Sequence, residues 1–196
     1  MREMTTRRRE KIETVLRQRQ SGLTLVMDNI WDPHNVSAIY RSCDAFGVPE
    51  VHLYYTECAF PQLSRKTSAS AFKWVGTVRH SSCEELAACL REKGMRILAT
   101  SCSPSSRPIS EYDLTLPTAV IMGNEHSGVS GELLSIADGE LYIPMYGMVQ
   151  SFNVSVASAL ILSEASRQRA NAGMYARLQW TEEEYQRRLA AWLEKA

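Results

Sequence analysis

IPMYGMVQSFNVSVASAL, residues 143–160, joins an apolar strand end to a polar loop and then to a helix of small side chains. Ile143, Pro144 and Met145 close the strand, and Gly147, Gln150 and Ser151 give the loop its backbone and side-chain donors. Asn153, Ser155, Ala157, Ser158 and Ala159 open the helix, where side chains that small let another backbone come close. The unit reads as a ligand pocket at a strand-to-helix turn, beside a tight helix contact.

On either side of it, apolar strands alternate with amphipathic helices. Strands are predicted at 23–30, 51–55, 95–100, 118–122 and 140–143. Helices are predicted at 35–46, closed by Gly47, at 84–93, at 129–137 and at 155–170. Ser82 with Glu85 and Thr181 with Glu184 have capping-box spacing, so the second pair starts a last helix. Residues 1–20 carry seven basic groups against three acidic, with Ile12, Val15 and Leu16 at helical spacing. This reads as a basic amphipathic helix, either a solvated face or a phosphate-contacting arm. The alternation argues for an α/β fold with a parallel sheet, whose ligands sit beyond the carboxyl ends of the strands.

Composition narrows the classes. A chain of 196 residues can bury a sizeable core without staples. Lys+Arg 22 against Asp+Glu 22 leaves zero formal net charge, so only the distribution of charge can speak for nucleic acid. No apolar run approaches the roughly 20 residues that cross a bilayer, and MREMTTRRREK has no secretory h-region. Five cysteines, odd in number and without CxxC, point away from a disulfide framework or zinc site and toward a reducing cytoplasm. There is no GxG and no GxSxG, which excludes a dinucleotide fingerprint, a P-loop and a serine-hydrolase elbow.

Three clusters carry candidate chemistry. Asn35-Val-Ser-Ala-Ile-Tyr-Arg41 follows the first strand; Asn35 suits a helix cap as well as a site, and Arg41 suits an anion or an acidic side chain. Gly123-Asn-Glu-His-Ser-Gly128 follows the strand at 118–122; Gly123 either admits a ligand or turns the chain. The segment at 143–160 is the third. The histidines His34, His52, His80 and His126 show no ligand spacing, so no metal is expected.

Together the clusters resemble the SPOUT methyltransferase superfamily, in its SpoU branch of RNA ribose 2′-O-methyltransferases. The match is Asn35 with Arg41, then Gly123–Gly128, then IPMYG followed by SFNVSVA, in family order and over about residues 20–170. The flanks RRREKIETVLRQRQ and GMVQSFNVSVASALILSEASRQRANAGMY resemble the group acting on guanosine 18 of tRNA. The departures are Phe152, where Leu is expected, and a C-terminus ending soon after Trp192.

The resemblance implies a parallel-sheet α/β knot, with a deep C-terminal trefoil and flanking helices. It divides the chain into an RNA-contacting arm at 1–20, a catalytic domain at 21–170 and a helical extension at 171–196. It implies S-adenosyl-L-methionine as cofactor, tRNA as substrate and a homodimer joined through the helices of the first and third motifs. Thr100, Gly123, Ile143, Met145 and Phe152 would cradle the cofactor. Arg41, Asn35, Ser151, Asn153 and Glu125 would serve catalysis, with Arg41 as base or, preferably, as electrostatic clamp. Another RNA target, a tRNA wobble ribose or an rRNA guanosine, is the alternative substrate. A non-catalytic RNA-binding module on the same fold is the alternative function.

Overall fold

A computed structural model describes residues 5–61 and 71–196. Arg2 and Glu3, counted above in the basic segment, lie outside the described residues.

The core is a seven-stranded sheet in the order β3-β2-β1-β6-β4-β7-β5. The strands are β1 (Leu23–Asp28), β2 (Glu50–Tyr54), β3 (Gly76–His80), β4 (Arg96–Thr100), β5 (Arg107–Pro108), β6 (Thr118–Met122) and β7 (Gly139–Tyr142). Every pairing is parallel, with β1 set between β2 and β6 through pairs such as Val26 with His52 and Leu25 with Val120. The helices are α1 (Thr6–Arg17), α2 (Pro33–Ala45), α3 (Ala71–Trp74), α4 (Cys83–Glu92), α5 (Gly131–Ser135), α6 (Val154–Asn171) and α7 (Glu182–Lys195).

All six residues of β1 are buried, as a central parallel strand covered on both faces requires. The period-2 alternation divides its side chains. Leu23, Leu25 and Met27 join Val120 and Met122 of β6 in the core under α2 and α6. Val26 joins Ala119 and Ile121 in the second core, under α4 and α5. Each large aliphatic side chain so buried contributes about 1.5–3 kcal/mol. A third cluster clips the ends of the chain together, with Ile12 and Leu16 of α1 against Tyr185, Leu189 and Trp192 of α7.

Several expectations shift. The first strand stops at Asp28, because Asn29 adopts a φ of 47° and its side-chain oxygen accepts from the Thr56 and Glu57 amides. The helix expected at 35–46 begins at Pro33, and its cap is Asp32, which accepts from the His34 amide. Asn35 is therefore not the cap. The helix expected at 129–137 is confined to α5. Two strands escape the sequence pattern: β3, which is largely exposed, and β5, a two-residue edge strand ending in Pro108. The basic α1 is a packed helix, not a free arm. Arg7, Arg8, Arg9 and Lys11 on it are exposed, while Arg19 is buried and held by Asp44 and the Val48 carbonyl. No helix among the described residues is long and apolar enough to cross a membrane.

Candidate active site

The loops leaving β4, β6 and β7 close on one cavity of about 450 Å³, at the carboxyl ends of their strands. Crossing order makes them neighbours: β6, β4 and β7 are adjacent in the sheet although β5 and short helical turns intervene in sequence. Thr100 through Cys102 come from the first loop, Gly123 through Glu125 from the second, and Ile143, Met145 and residues 150–153 from the third. Val154, Ala157 and Ile161 of α6 form the floor.

The second loop is rigid for local reasons. Asn124 Oδ1 accepts from the amides of His126 (2.9 Å) and Ser127 (2.8 Å). Asn124 and Gly128 exchange backbone bonds of 3.1 Å each way, with Gly128 at a φ of 72°. The turn folds back so tightly that a Cβ on Gly123 would meet the Gly128 carbonyl carbon at 2.1 Å. Gly123 is thus required by the chain's own turn. His126 packs edge-on against Trp31, ring centroids 5.7 Å apart.

That turn presents Glu125 to the first motif. Asn35 Nδ2 donates to Glu125 Oε1 at 2.6 Å, and Asn153 Nδ2 donates to Asn35 Oδ1 at 3.0 Å. Asn153 Oδ1 in turn accepts from the Ser155 amide (2.9 Å), which caps α6. One continuous chain of hydrogen bonds therefore links residues from all three motifs. Nearby, burial pushes the Tyr55 phenol well above its ordinary pKa, aided by Cys58, Tyr40 and Glu125, and it donates to the Ile30 carbonyl at 2.9 Å.

The five residues expected to cradle a cofactor, Thr100, Gly123, Ile143, Met145 and Phe152, all line the cavity. Thr100 Oγ1 is occupied with the Ile121 carbonyl at 3.0 Å. Ser151, Asn153 and Glu125 line it as well, and Asn35 is tied to two of them. Arg41 stands apart. It is exposed, does not line this cavity, and makes no hydrogen bond or ion pair among the described residues. Six residues after Asn35, it lies about 9 Å further along α2 and on another face. Sequence reasoning passed over Ser101 and Cys102; their place directly after a strand was the available signal.

The lining contains one carboxylate, Glu125, one thiol, Cys102, and no histidine. Such a set positions and polarises a substrate better than it abstracts a proton.

Residues 22–163 match the SpoU rRNA Methylase family. The chain belongs to that family. Among SpoU relatives, a tRNA (guanosine(18)-2′-O)-methyltransferase of Thermus thermophilus is 48% identical over 195 residues, spanning 100% of both chains. The protein of the same name from Escherichia coli is 47% identical over 178 residues, covering 89% of this chain and 76% of its own length. The solved A. aeolicus TrmH/SpoU tRNA modifying enzyme superposes with a TM-score of 0.90 at 40% identity, over 96% of each chain. The SpoU methyltransferase AviRb of Streptomyces viridochromogenes, solved in complex with the cofactor AdoMet, gives 0.69 at 26% identity, over 76% of this chain and 60% of its own.

Proposed function

We propose that this SpoU methylase transfers the methyl group of S-adenosylmethionine to the ribose 2′-hydroxyl of guanosine 18 in tRNA. The carrying observation is the hydrogen-bonded chain from Ser155 through Asn153 and Asn35 to Glu125, set on a cavity at the strand ends. The printed names of the full-length relatives support the substrate.

The cavity suits the cofactor. Leu141, Met145, Phe152 and Ile161 offer an apolar wall for a purine, and Gly123, Ile143 and Thr100 offer backbone groups for its polar edge. Glu125 places a carboxylate beside a cationic ligand. When bound, S-adenosylmethionine supplies an electrophilic sulfonium methyl. The protein's task is to hold the 2′-hydroxyl in line and to ease the loss of its proton. Ser151, whose hydroxyl has no partner among the described residues, orients the ribose.

Arg41 acts as an electrostatic clamp. A guanidinium is a cation with donors and no acceptor, so it stabilises developing alkoxide and phosphate charge rather than taking the proton. Because it lies outside the cavity of its own chain, it serves the site of a second copy. A homodimer is supported by the exposed apolar side chains Val156 and Leu160 of α6, beside Tyr146, Met148 and Val149 of the third-motif loop. The small residues of α6, already packed on α2, allow close helix approach there.

The same reading assigns a C-terminal trefoil knot, supported by the likeness to TrmH/SpoU structures and by three late loops crowding one cavity. It assigns catalysis to residues 21–170. The segments 1–20 and 171–196, joined through the α1–α7 cluster, form one RNA-contacting unit. A tRNA substrate supports a cytoplasmic location.

Transfer of labelled methyl to tRNA, with mass-spectrometric mapping of the product, tests the proposal. Methyl at the ribose of guanosine 18 is expected. Arg41→Ala should keep cofactor binding by calorimetry and lose transfer by about 100- to 1,000-fold. Full activity in that variant overturns the role of Arg41, and methyl at another nucleotide overturns the substrate.

A further inference from the structure

On the α4 face of the sheet, opposite α6 and its cavity wall, two histidines distant in sequence meet. His52 lies on β2 and His80 ends β3, in the parallel register that sets Tyr54 beside His80. Their side chains are 0% and 2% exposed. The rings stack at 5.1 Å with an interplanar angle of 11°, and His52 Nδ1 approaches His80 Nε2 at 2.8 Å. A ring nitrogen of each and the sulfur of Cys89, on α4 above them, all lie within 4.8 Å of one another.

We propose that His52, His80 and Cys89 form a binding site for a borderline-soft divalent cation of the zinc class. Two neutral imidazoles and a thiolate are a donor set that such an ion prefers over magnesium or calcium. A tetrahedral ion would ask for ligand atoms about 3.3–3.7 Å apart, reached here by small side-chain rotations. Three protein ligands leave the fourth position to water.

The second observation is the pair of outer nitrogens. His52 Nε2 and His80 Nδ1 are buried without a hydrogen-bond partner among the described residues. Each looks toward a carboxylate just beyond bonding range: Glu50 Oε1 at 3.8 Å and Glu85 Oε1 at 3.9 Å. Buried polar groups rarely stay unpaired. Ligation through the inner nitrogens would leave the protons on the outer ones, aimed at these carboxylates, the arrangement that orients metal-bound histidines generally. Glu85 sits one helical turn before Cys89 on α4, so both face the same way. Lys93, the nearest cation, is paired with Glu50, which limits its repulsion of an incoming ion. On binding, the Cys89 sulfur–hydrogen bond breaks, its proton goes to solvent and the electron pair goes to the cation.

Co2+ titrated into the full-length protein is the probe, since thiolate ligation gives a sulfur-to-cobalt charge-transfer band and tetrahedral geometry gives strong visible bands. One equivalent should saturate both signals, and one equivalent of Zn2+ should abolish them. Cys89→Ser, at a half-buried helix position, should fold and lose the charge-transfer band. The double variant Cys83→Ser, Cys102→Ser should keep it. His80→Gln should weaken the affinity at least tenfold. Zn2+ should raise the unfolding temperature of the wild type but not of Cys89→Ser. Absence of a charge-transfer band in the wild type, or its persistence in Cys89→Ser, overturns the site.

Discussion

Asn35 uses both ends of its amide, donating to Glu125 and accepting from Asn153, while 8% exposed. Alanine there removes both bonds and leaves the exposed Glu125 carboxylate and Asn153 amide to water. Stability should fall by only about 0.5–1.5 kcal/mol in urea unfolding, because water takes up the exposed partners. Single-turnover methyl transfer should slow by about 10- to 100-fold, with tRNA binding nearly unchanged, because the residue positions other groups. Asn35 was legible as a member of the polar cluster the fold brings together, but a role as helix cap was not separable in sequence, since Asp32 competes for it three positions earlier. Arg169 was not legible at all. An arginine late in a helix reads as surface, yet it is fully buried and bonds the carbonyls of Gly22, Leu114 and Leu116. Those acceptors lie 53 to 147 residues away in sequence, beyond any local pattern. Burial lowers its pKa to about 10, and the carbonyls keep its donors satisfied.

Elements announced by local chemistry were readable. Ser82 accepts from the Glu85 amide and Thr181 from the Glu184 amide, both at 3.2 Å, where their spacing placed helix starts. The edge strand β3 was not, because its exposed face erases the apolar signal, and with it went the encounter of His52 and His80. That edge carries a pH dependence. Burial first, then the Lys93 charge, lowers the His52 pKa from 6.5 to about 4, against the opposing pull of Glu50. The unfolded ring protonates more readily, so the folded state loses ground as the solution turns acidic. Stability from this group is whole above pH 6.5 and disappears as pH falls toward 4. The urea midpoint of the metal-free protein should fall across that window, and less steeply in His52→Gln. Helix α1 carries a second prediction. Arg8 and Lys11 share a cleft of about 380 Å³ with Lys73, Trp74 and Trp192. Deleting residues 1–20 would strip Ile12, Leu16 and Arg19 from the core, so charge removal is the cleaner test. Replacing Arg8, Lys11 and Lys73 by alanine should flatten the logarithmic salt dependence of tRNA binding by about 2 units if the cleft holds phosphates. An unchanged slope returns α1 to a purely structural role.

At the scale of the molecule, parallel order, a cavity at the strand ends and the meeting of three motifs were all legible from the alternation and the motif spacing. The placement of Arg41 was not, because a sequence does not say whether a residue meets its own chain or a copy. A twofold dimer makes a specific prediction about it. In the proposed isologous dimer, each copy's Arg41 would reach the other copy's cavity. Arg41→Ala and Ser151→Ala chains should each be inactive as homodimers. In the mixed dimer, the cavity of the Arg41→Ala chain keeps Ser151 and receives an intact arginine from its mate. The opposite cavity lacks both groups. Random exchange makes half the dimers mixed with one working site each, so about a quarter of wild-type activity should return. Leu160→Asp should block the recovery by separating the copies, seen as a monomer in sedimentation, since a carboxylate on that apolar face opposes burial. If the mixture stays inactive while mixed dimers are shown to form, Arg41 acts within its own chain and α2 must move to bring it to the cavity.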